Sequence, residues 1–242
     1  MKKCDRKIAL DTETTGMNHT GVFYENHKII EIGAVEIINN DFTGNDFHCY
    51  IQPNRPIDKD SFKVHGISEK FLLKKPEFRD IAENFLNYIN NSTLIIHNAK
   101  FDVDFINYEL SMTDLDSKNL LNFCNVIDTL SLARQLFPGK KNSLDALCSR
   151  YKISIKHRTV HSALVDAKLL AKVYIFMTNI QKSILIFDRE NSSSINKKNV
   201  NDSSQLFFKS RLLLATKQEI YKHNEFLKFI KNKTGKCLWL DK

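Results

Sequence analysis

The sequence predicts a mixed five-stranded α/β sheet flanked by helices, followed by a flexible linker and a small C-terminal docking segment. The first three predicted strands follow one another through short connections, which is typical of antiparallel strands. The later strands alternate with helices, which is typical of a sheet covered by helices. A polar stretch at 191–204, rich in Ser and Asn, separates the C-terminal segment from the rest of the chain.

Five short apolar runs predict the strands of the sheet. Each run is rich in β-branched or aromatic residues and is bounded by residues that form turns. The first run ends in a carboxylate and is followed by the turn Thr14-Thr-Gly16, and the turn-rich stretch 39–45 separates the second run from the third. The predicted strands are 7–11, 29–38, 47–52, 94–97 and 126–128.

Five further segments predict helices, because their apolar residues recur at helical spacing. A polar loop precedes the first of these segments, and Ser143 is a suitable N-cap for the fourth. The predicted helices are 80–89, 101–110, 130–137, 143–151 and 163–178.

The chain divides into three predicted parts. Residues 1–180 form the α/β domain, and residues 181–204 form a connecting segment with the flexible linker. Residues 205–242 regain apolar residues but are too few to bury a core of their own. We therefore expect the last part to dock on another surface.

Composition indicates a soluble globular protein, since 42% of the residues are apolar and 26% are charged. No apolar run reaches the roughly 18 residues of a membrane span, and no apolar signal segment follows the N-terminal residues. We expect a cytoplasmic location. The five cysteines are scattered and form no C-x-x-C pair, so they predict neither a disulfide framework nor a zinc site.

The formal net charge of +8 is concentrated near the C-terminus. Lys and Arg outnumber Asp and Glu by one over residues 1–175 and by seven over residues 176–242. A basic tail favours a nucleic-acid partner. A Lys- and Asn-rich composition that keeps the tail soluble explains the same charge, so both interpretations stay open.

Two carboxylates at the end of the first predicted strand are the first candidates for chemistry. Asp11 and Glu13 are two residues apart, so they project from the same face of the strand. Two acids this close repel each other unless a cation lies between them or one of them is protonated. Carboxylate oxygens suit Mg²⁺ or Mn²⁺. An exposed pair of acids in a turn is the alternative interpretation.

Two more candidates lie at predicted helix starts. Asp102 begins a helix after a buried strand, near the carboxyl end of the sheet, although it could equally cap the helix or pair with its dipole. His161 and Asp166 are five residues apart, which on a helix is about 140° out of alignment. This pair therefore converges only if His161 precedes the helix. Asp104 is expected to point elsewhere on its helix.

Three sequence segments contain these residues and resemble the three motifs of the DnaQ-like, or DEDDh, exonuclease family of the ribonuclease H-like fold. They are Leu10-Asp-Thr-Glu-Thr-Thr-Gly16, His97-Asn-Ala-Lys-Phe-Asp102 and His161-Ser-Ala-Leu-Val-Asp-Ala-Lys168. Residues 25–36, 62–67 and 137–147 are also similar to the proofreading exonuclease subunits of bacterial replicative DNA polymerases. The similarity covers about residues 7–178.

The resemblance implies a ribonuclease H-like sheet and a 3′→5′ exonuclease that acts on a DNA 3′ end with two divalent metal ions, Mg²⁺ or Mn²⁺. His161 is then the general base, and the implied metal ligands are Asp11, Glu13, Asp102 and Asp166. Substrate contacts are implied for Asp11, Glu13, Asp60, His65 and Asp166. Asp60 is shorter than the Glu expected at its position, which leaves that contact open. We assign structural roles, such as capping, to His97, Asp128 and Asp145.

The resemblance also implies partners. The tail at 205–242 is expected to bind the catalytic (alpha) subunit of the polymerase, and a small third subunit often accompanies such a pair. The segment Gln181–Phe187 resembles a peptide that binds the sliding clamp, or is simply the apolar end of the last helix.

Two other functions stay open at this point. An RNA-trimming 3′ exonuclease would use the same motifs, although it would have no evident use for the linker and the tail. A non-catalytic scaffold between polymerase and clamp would not need every expected catalytic position to be filled by a suitable residue, as it is in this sequence.

Overall fold

The computed structural model describes residues 6–115, 119–155, 160–190, 215–237 and 239, without the side chains of 180–190. The chain separates into two compact units, Met1–Ser194 and Ile195–Lys242. No helix among the described residues is long and apolar enough to cross a membrane.

A mixed six-stranded sheet forms the centre of the first unit. The first two strands are antiparallel, the fifth pairs with the first in parallel, and the sixth pairs with the fifth in parallel. All five predicted strands are present, and an additional two-residue strand lies in the segment predicted to be a turn, where it is too short to show a periodic pattern. The strands are β1 (Arg6–Thr14), β2 (Ile29–Ile38), β3 (Asp41–Phe42), β4 (Phe47–Tyr50), β5 (Thr93–Ile96) and β6 (Asn125–Asp128).

Seven α-helices are described in the first unit. The first two lie where the sequence predicted a polar loop, because helices of one or two turns carry too few apolar residues to show a period. The last helix continues past Thr178, where it was predicted to end, and is described as far as Glu190. The helices are α1 (Lys59–His65), α2 (Glu69–Leu72), α3 (Phe78–Ile89), α4 (Ala99–Ser111), α5 (Thr129–Leu136), α6 (Leu144–Arg150) and α7 (Ala163–Glu190).

The longer α7 includes the backbone of the clamp-like segment Gln181–Phe187. Side chains in this segment lie outside the described residues, as does the predicted linker at 191–204. Binding of the clamp by this segment stays a prediction.

Helices cover both faces of the sheet, and the alternation along β1 shows how. Ile8 and Leu10 pack with α3 and α4 on one face, whereas Ala9 packs with α7 on the other. Phe85 of α3 and Phe105 of α4 are fully buried. Burying a side chain of this size contributes about 1.5–3 kcal/mol, so this two-sided core provides a rigid base for residues at the strand ends.

Gly33 on β2 allows α7 to start directly against the sheet. A Cβ atom at this position would lie 2.2 Å from the backbone nitrogen of Leu164 and 2.3 Å from the carbonyl carbon of Ala163. Gly33 also pairs with Asp11 in the register of β1 and β2. The missing side chain therefore brings the first turn of α7 close to the acidic end of β1.

The second unit contains one described helix, α8 (Lys217–Thr234), which the sequence analysis did not predict. Thr216 and Glu219 form a capping box at its start, and Gly235 ends it in the left-handed conformation with φ of 76°. The side chains of Tyr221, Phe226 and other apolar residues of this unit are more than half exposed.

We expect Gly33→Ala to destabilise the protein by roughly 3 kcal/mol, because the added methyl group meets backbone atoms that cannot rotate away. Urea unfolding followed by circular dichroism measures the loss. Gly44→Ala is the control, since nothing lies within 4 Å of that position and only its φ of +80° is unfavourable, at roughly 1 kcal/mol. Equal losses in the two variants would contradict the proposed close approach.

Candidate active site

The end of β1 presents the first two candidate acids. Asp11 and Glu13 are partly exposed and Thr12 between them is buried, as alternation along a strand requires. A register shift between Glu13 and Thr14 ends the regular pairing with β2. The turn that follows favours Gly16, because its φ of +149° is rarely adopted by other residues, and a Cβ there would also lie 2.1 Å from Oδ2 of Asp58.

Asp102 lies in the first turn of α4, where it is almost completely buried. The hydroxyl of Thr12 donates a hydrogen bond of 2.7 Å to its Oδ1. This bond joins α4 to the acidic end of β1. The sequence analysis did not single out Thr12, although a polar residue between two acids on an apolar strand could have indicated it.

The loop before α4 has its own support. Asn98 adopts the left-handed conformation with φ of 66° and ψ of 54°. Its N–H donates to Oδ1 of Asp128 at 3.1 Å. The same oxygen accepts from the N–H of Leu130 at 2.9 Å, so Asp128 caps α5 as predicted. Asp128 thus connects two loops at the carboxyl ends of β5 and β6.

Burial raises the pKa of Asp102 to about 7, and the hydrogen bond from Thr12 offsets part of that effect. An acid with such a pKa is only partly ionised at neutral pH. A neighbouring positive charge, which a bound cation would supply, would therefore stabilise the ionised form of Asp102.

His161 and Asp166 converge at the start of α7. His161 precedes the helix, as the sequence required, and its backbone N–H donates to the carbonyl of Val64 at 3.1 Å. Nδ1 of His161 lies 3.2 Å from Oδ2 of Asp166. The imidazole is 44% exposed whereas the carboxylate is 4% exposed. The histidine thus faces solvent while its partner is fixed in the protein.

Three of the candidate residues meet in one cluster. Oxygen or nitrogen atoms of Glu13, His161 and Asp166 that could bind a metal all lie within 4.8 Å of one another. Asp102 joins the same end of β1 through Thr12, and Asp11 lies on β1 opposite Gly33, beneath the start of α7. Carboxylate oxygens at this spacing fit a hard divalent cation such as Mg²⁺ or Mn²⁺.

A cavity of about 520 Å³ opens beside this cluster. Glu13, Phe101 and two residues of α1, Asp60 and His65, are among the residues that line it. Asp60 is exposed and pairs with Lys63 at 2.7 Å. Asp60 and His65, two of the five residues predicted to contact substrate, therefore lie on the cavity wall, where Asp60 pairs with Lys63.

His65 is buried and is one of the residues that line the cavity. Its Nδ1 accepts from the N–H of Ile67 at 3.0 Å, so the neutral ring carries its proton on Nε2. Nε2 is buried and has no hydrogen-bond partner among the described residues. Burial lowers the pKa of His65, and the charge of Glu31 offsets part of this effect.

The remaining polar candidates have structural surroundings. His97 lies 3.0 Å from the hydroxyl of Thr129 through Nδ1, and Asp104 pairs with Lys100 on the same helix. Asp145 lies in the first turn of α6, which Ser143 caps as predicted. These contacts separate them from the cluster around Glu13.

Comparison with known proteins identifies relatives along the whole chain. The sequence model of the exonuclease family matches residues 8–174. The chain is 65% identical over 241 residues to the DNA polymerase III subunit epsilon of Buchnera aphidicola subsp. Baizongia pistaciae, covering 100% of this chain and 98% of that protein. It is 47% identical over 235 residues to the protein of that name from Escherichia coli K12, covering 97% of each.

Solved structures share the fold of the first unit. Exonuclease X in complex with 5′ overhanging duplex DNA matches with a TM-score of 0.56 and 26% identity, over 72% of this chain and 92% of that one. The nuclease domain of 3′hExo, a DEDDh family member bound to rAMP, matches with a TM-score of 0.61 and 17% identity, over 74% and 94%. The predicted ribonuclease H-like fold is confirmed.

We expect Asp102→Asn to stabilise the metal-free protein at pH 8 by on the order of 2 kcal/mol and to have little effect at pH 4. The pKa of the folded carboxyl is raised from 3.8 to about 7, so between these pH values the folded state holds a proton that the unfolded state has lost. The free energy of unfolding therefore falls as pH rises from about 4 to about 7. An amide does not titrate, so it avoids this loss of stability while its oxygen still accepts from Thr12.

Urea unfolding in EDTA at both pH values measures this difference. Asp104→Asn on the same helix is the control and should show no gain at pH 8, because Asp104 pairs with Lys100. A gain for Asp102→Asn that is the same at both pH values would argue against a buried acid with a raised pKa.

Proposed function

Because the chain belongs to the exonuclease family and, within it, to the epsilon subunits of DNA polymerase III, we propose that it removes mispaired nucleotides from the 3′ end of DNA. The observation that carries this proposal is the cluster of Glu13, His161 and Asp166, whose candidate ligand atoms lie within 4.8 Å of one another. The cavity beside the cluster has room for a terminal nucleotide.

We propose that Asp11, Glu13, Asp102 and Asp166 hold two divalent cations, Mg²⁺ or Mn²⁺. When bound, a pair of such ions stabilises the charge on the attacking and leaving oxygens of an in-line phosphodiester displacement. The raised pKa of Asp102 supports the assignment, since the carboxylate form of a buried acid needs a positive neighbour. The product is a nucleoside monophosphate.

His161 is the proposed general base. A neutral imidazole that donates from Nδ1 to Asp166 keeps Nε2 as its proton acceptor. An imidazole can take a proton from an attacking water near neutral pH. Its partial exposure lets the proton pass on to solvent after each turnover.

His65 is the proposed donor to the terminal nucleotide, because it lines the cavity and its neutral ring carries the proton on Nε2. Asp60 also lines the cavity but is paired with Lys63, so a contact with the substrate would require that exposed pair to open. An exposed ion pair of this kind contributes little to stability, so a bound nucleotide can displace it.

The second unit is the proposed contact with the catalytic (alpha) subunit of the polymerase. Tyr221, Phe226, Phe229 and Trp239 are each more than half exposed there, and large exposed aromatic residues are typical of interfaces. A tether between the units would make the contact with DNA effectively intramolecular. The sliding clamp is a further proposed partner, through Gln181–Phe187, and the proposed place of action is the cytoplasm.

With Mg²⁺, we expect stepwise release of nucleoside monophosphates from the 3′ end of a labelled primer that carries a terminal mismatch. Asp11→Ala and His161→Ala should each lower the rate by at least about 100-fold, the usual scale for loss of a catalytic group. Denaturing gel electrophoresis of the labelled products measures the rate, and EDTA should abolish it.

Asp104→Asn is the matched control in this assay and should keep full activity. The same measurement on an RNA primer distinguishes an RNA-trimming enzyme, which would degrade RNA faster than DNA. A folded wild-type chain that cleaves neither substrate would favour the scaffold function instead.

We expect replacement of both Phe226 and Phe229 by Ala in the full chain to abolish association with the alpha subunit, because both rings are more than half exposed on α8. Analytical gel filtration of the mixed subunits measures the complex, and exonuclease activity should stay unchanged. Phe42→Ala, which removes an exposed ring of β3, is the control. Intact association of the double variant would rule out this face of α8.

A further inference from the structure

Glu31 is a buried acid on β2 that has no role in the proposed chemistry. Its side chain is completely buried in a strand of Ile, Val and Ala residues. Burying a carboxylate costs several kcal/mol unless strong hydrogen bonds or a cation compensate. The partners that compensate for this cost therefore indicate what the residue does.

Glu36 on the same strand shows how an ordinary buried acid is compensated. It lies 2.6 Å from the guanidinium of Arg6 and accepts a hydrogen bond of 2.7 Å from Thr43. Arg6 is at the beginning of β1, whereas Glu13 is near the other end of the same strand. Glu36 therefore serves the structure far from the cluster of candidate catalytic residues.

Glu31 instead binds the residues that follow His161. Its Oε1 accepts from the hydroxyl of Ser162 at 2.9 Å, and its Oε2 accepts from the N–H of Ala163 at 3.2 Å. The third partner is Nε2 of His48, at 2.8 Å from Oε1. No Lys or Arg forms an ion pair with Glu31 among the described residues.

Ala163 is the first residue of α7, so Glu31 caps this helix although it lies far away in the chain, on β2. A negative charge is favourable there, because the N–H groups of a first helical turn are unsatisfied and the helix dipole is positive at this end. The 28-residue α7 starts with Asp166 in its first turn. The cap therefore defines where both Asp166 and the preceding histidine lie.

Two contacts hold the backbone at His161. The N–H of His161 donates to the carbonyl of Val64, and Glu31 binds the two residues that follow His161. The ring nitrogen Nδ1 then reaches Asp166 at 3.2 Å. Glu31 therefore fixes Ser162 and Ala163, the two residues that join His161 to the rest of α7.

We propose that Glu31 is a positioning residue for catalysis, which holds the general base His161 in place through Ser162 and Ala163. This inference rests on the proposed function, since it assigns Glu31 a part in the same reaction. A displacement of about 1 Å at a catalytic group can lower a rate by about 100-fold. The proposal therefore predicts a loss of turnover without a loss of substrate binding.

The test compares Glu31→Gln with Glu36→Gln in the full chain. Both replace a buried carboxylate on β2 by an amide of the same shape, so both should lose stability. Only Glu31→Gln should lower kcat for nucleotide release, by about tenfold or more, with KM changed less than about threefold. Equal kcat values for the two folded variants would overturn the proposal.

Ser162→Ala keeps the test decisive if Glu31→Gln does not fold. It removes one hydrogen bond to Glu31 and should lower kcat by a smaller factor, whereas an unchanged kcat would count against the proposal. In the double variant Glu31→Gln with Ser162→Ala, the two losses should not multiply, because both act through the same contact.

Hydrogen exchange of the metal-free protein separates this inference from the proposed function. The amide of Ala163 should exchange faster in Glu31→Gln than in Glu36→Gln, relative to the core amides of each variant. That result would support the anchoring of the loop even if the wild-type chain cleaved no DNA. Equal protection of Ala163 in both variants would overturn the proposal independently of activity.

Discussion

The contact between the start of α7 and the middle of β2 is the constraint on which the rest of the site depends. Gly33 provides the space, since any side chain there would meet the backbone of Ala163 and Leu164. Glu31 provides the attachment through its bond to the N–H of Ala163. Because β2 pairs with β1 along its length, this single contact also sets where α7 lies relative to the acids of β1.

The site combines residues from elements that do not adjoin in the chain. β1, α4 and α7 each contribute at least one acid, and Thr12 joins the first two of these elements. Burying an acid costs free energy, as the raised pKa of Asp102 indicates. The apolar layers on the two faces of the sheet supply the stability that permits this cost. The candidate catalytic residues thus lie at the strand ends, whereas the strand centres supply the stability.

Much of the fold could be predicted, because its long elements have a clear period. β2 has the predicted bounds 29–38, because its residues form one continuous and mostly apolar run that is buried on both faces of the sheet. Four features were missed or misjudged: the two-residue β3, the short α1 and α2, the continuation of α7 beyond Thr178, and α8. The short ones carry too few residues for a period, and a helix without Gly, Pro or another stop signal has no end that the sequence marks.

The sequence by itself determined which acids stand at a strand end or a helix start, and in what order, because these positions follow from local periodicity. It also determined that His161 had to precede its helix. Only the tertiary structure decided that Glu13, His161 and Asp166 meet within 4.8 Å. It alone also revealed Glu31, whose partner Ala163 is 132 residues away. A carboxylate on an apolar strand marks Glu31 as unusual, but its partner could not be predicted, since a contact between distant segments leaves no period in either of them.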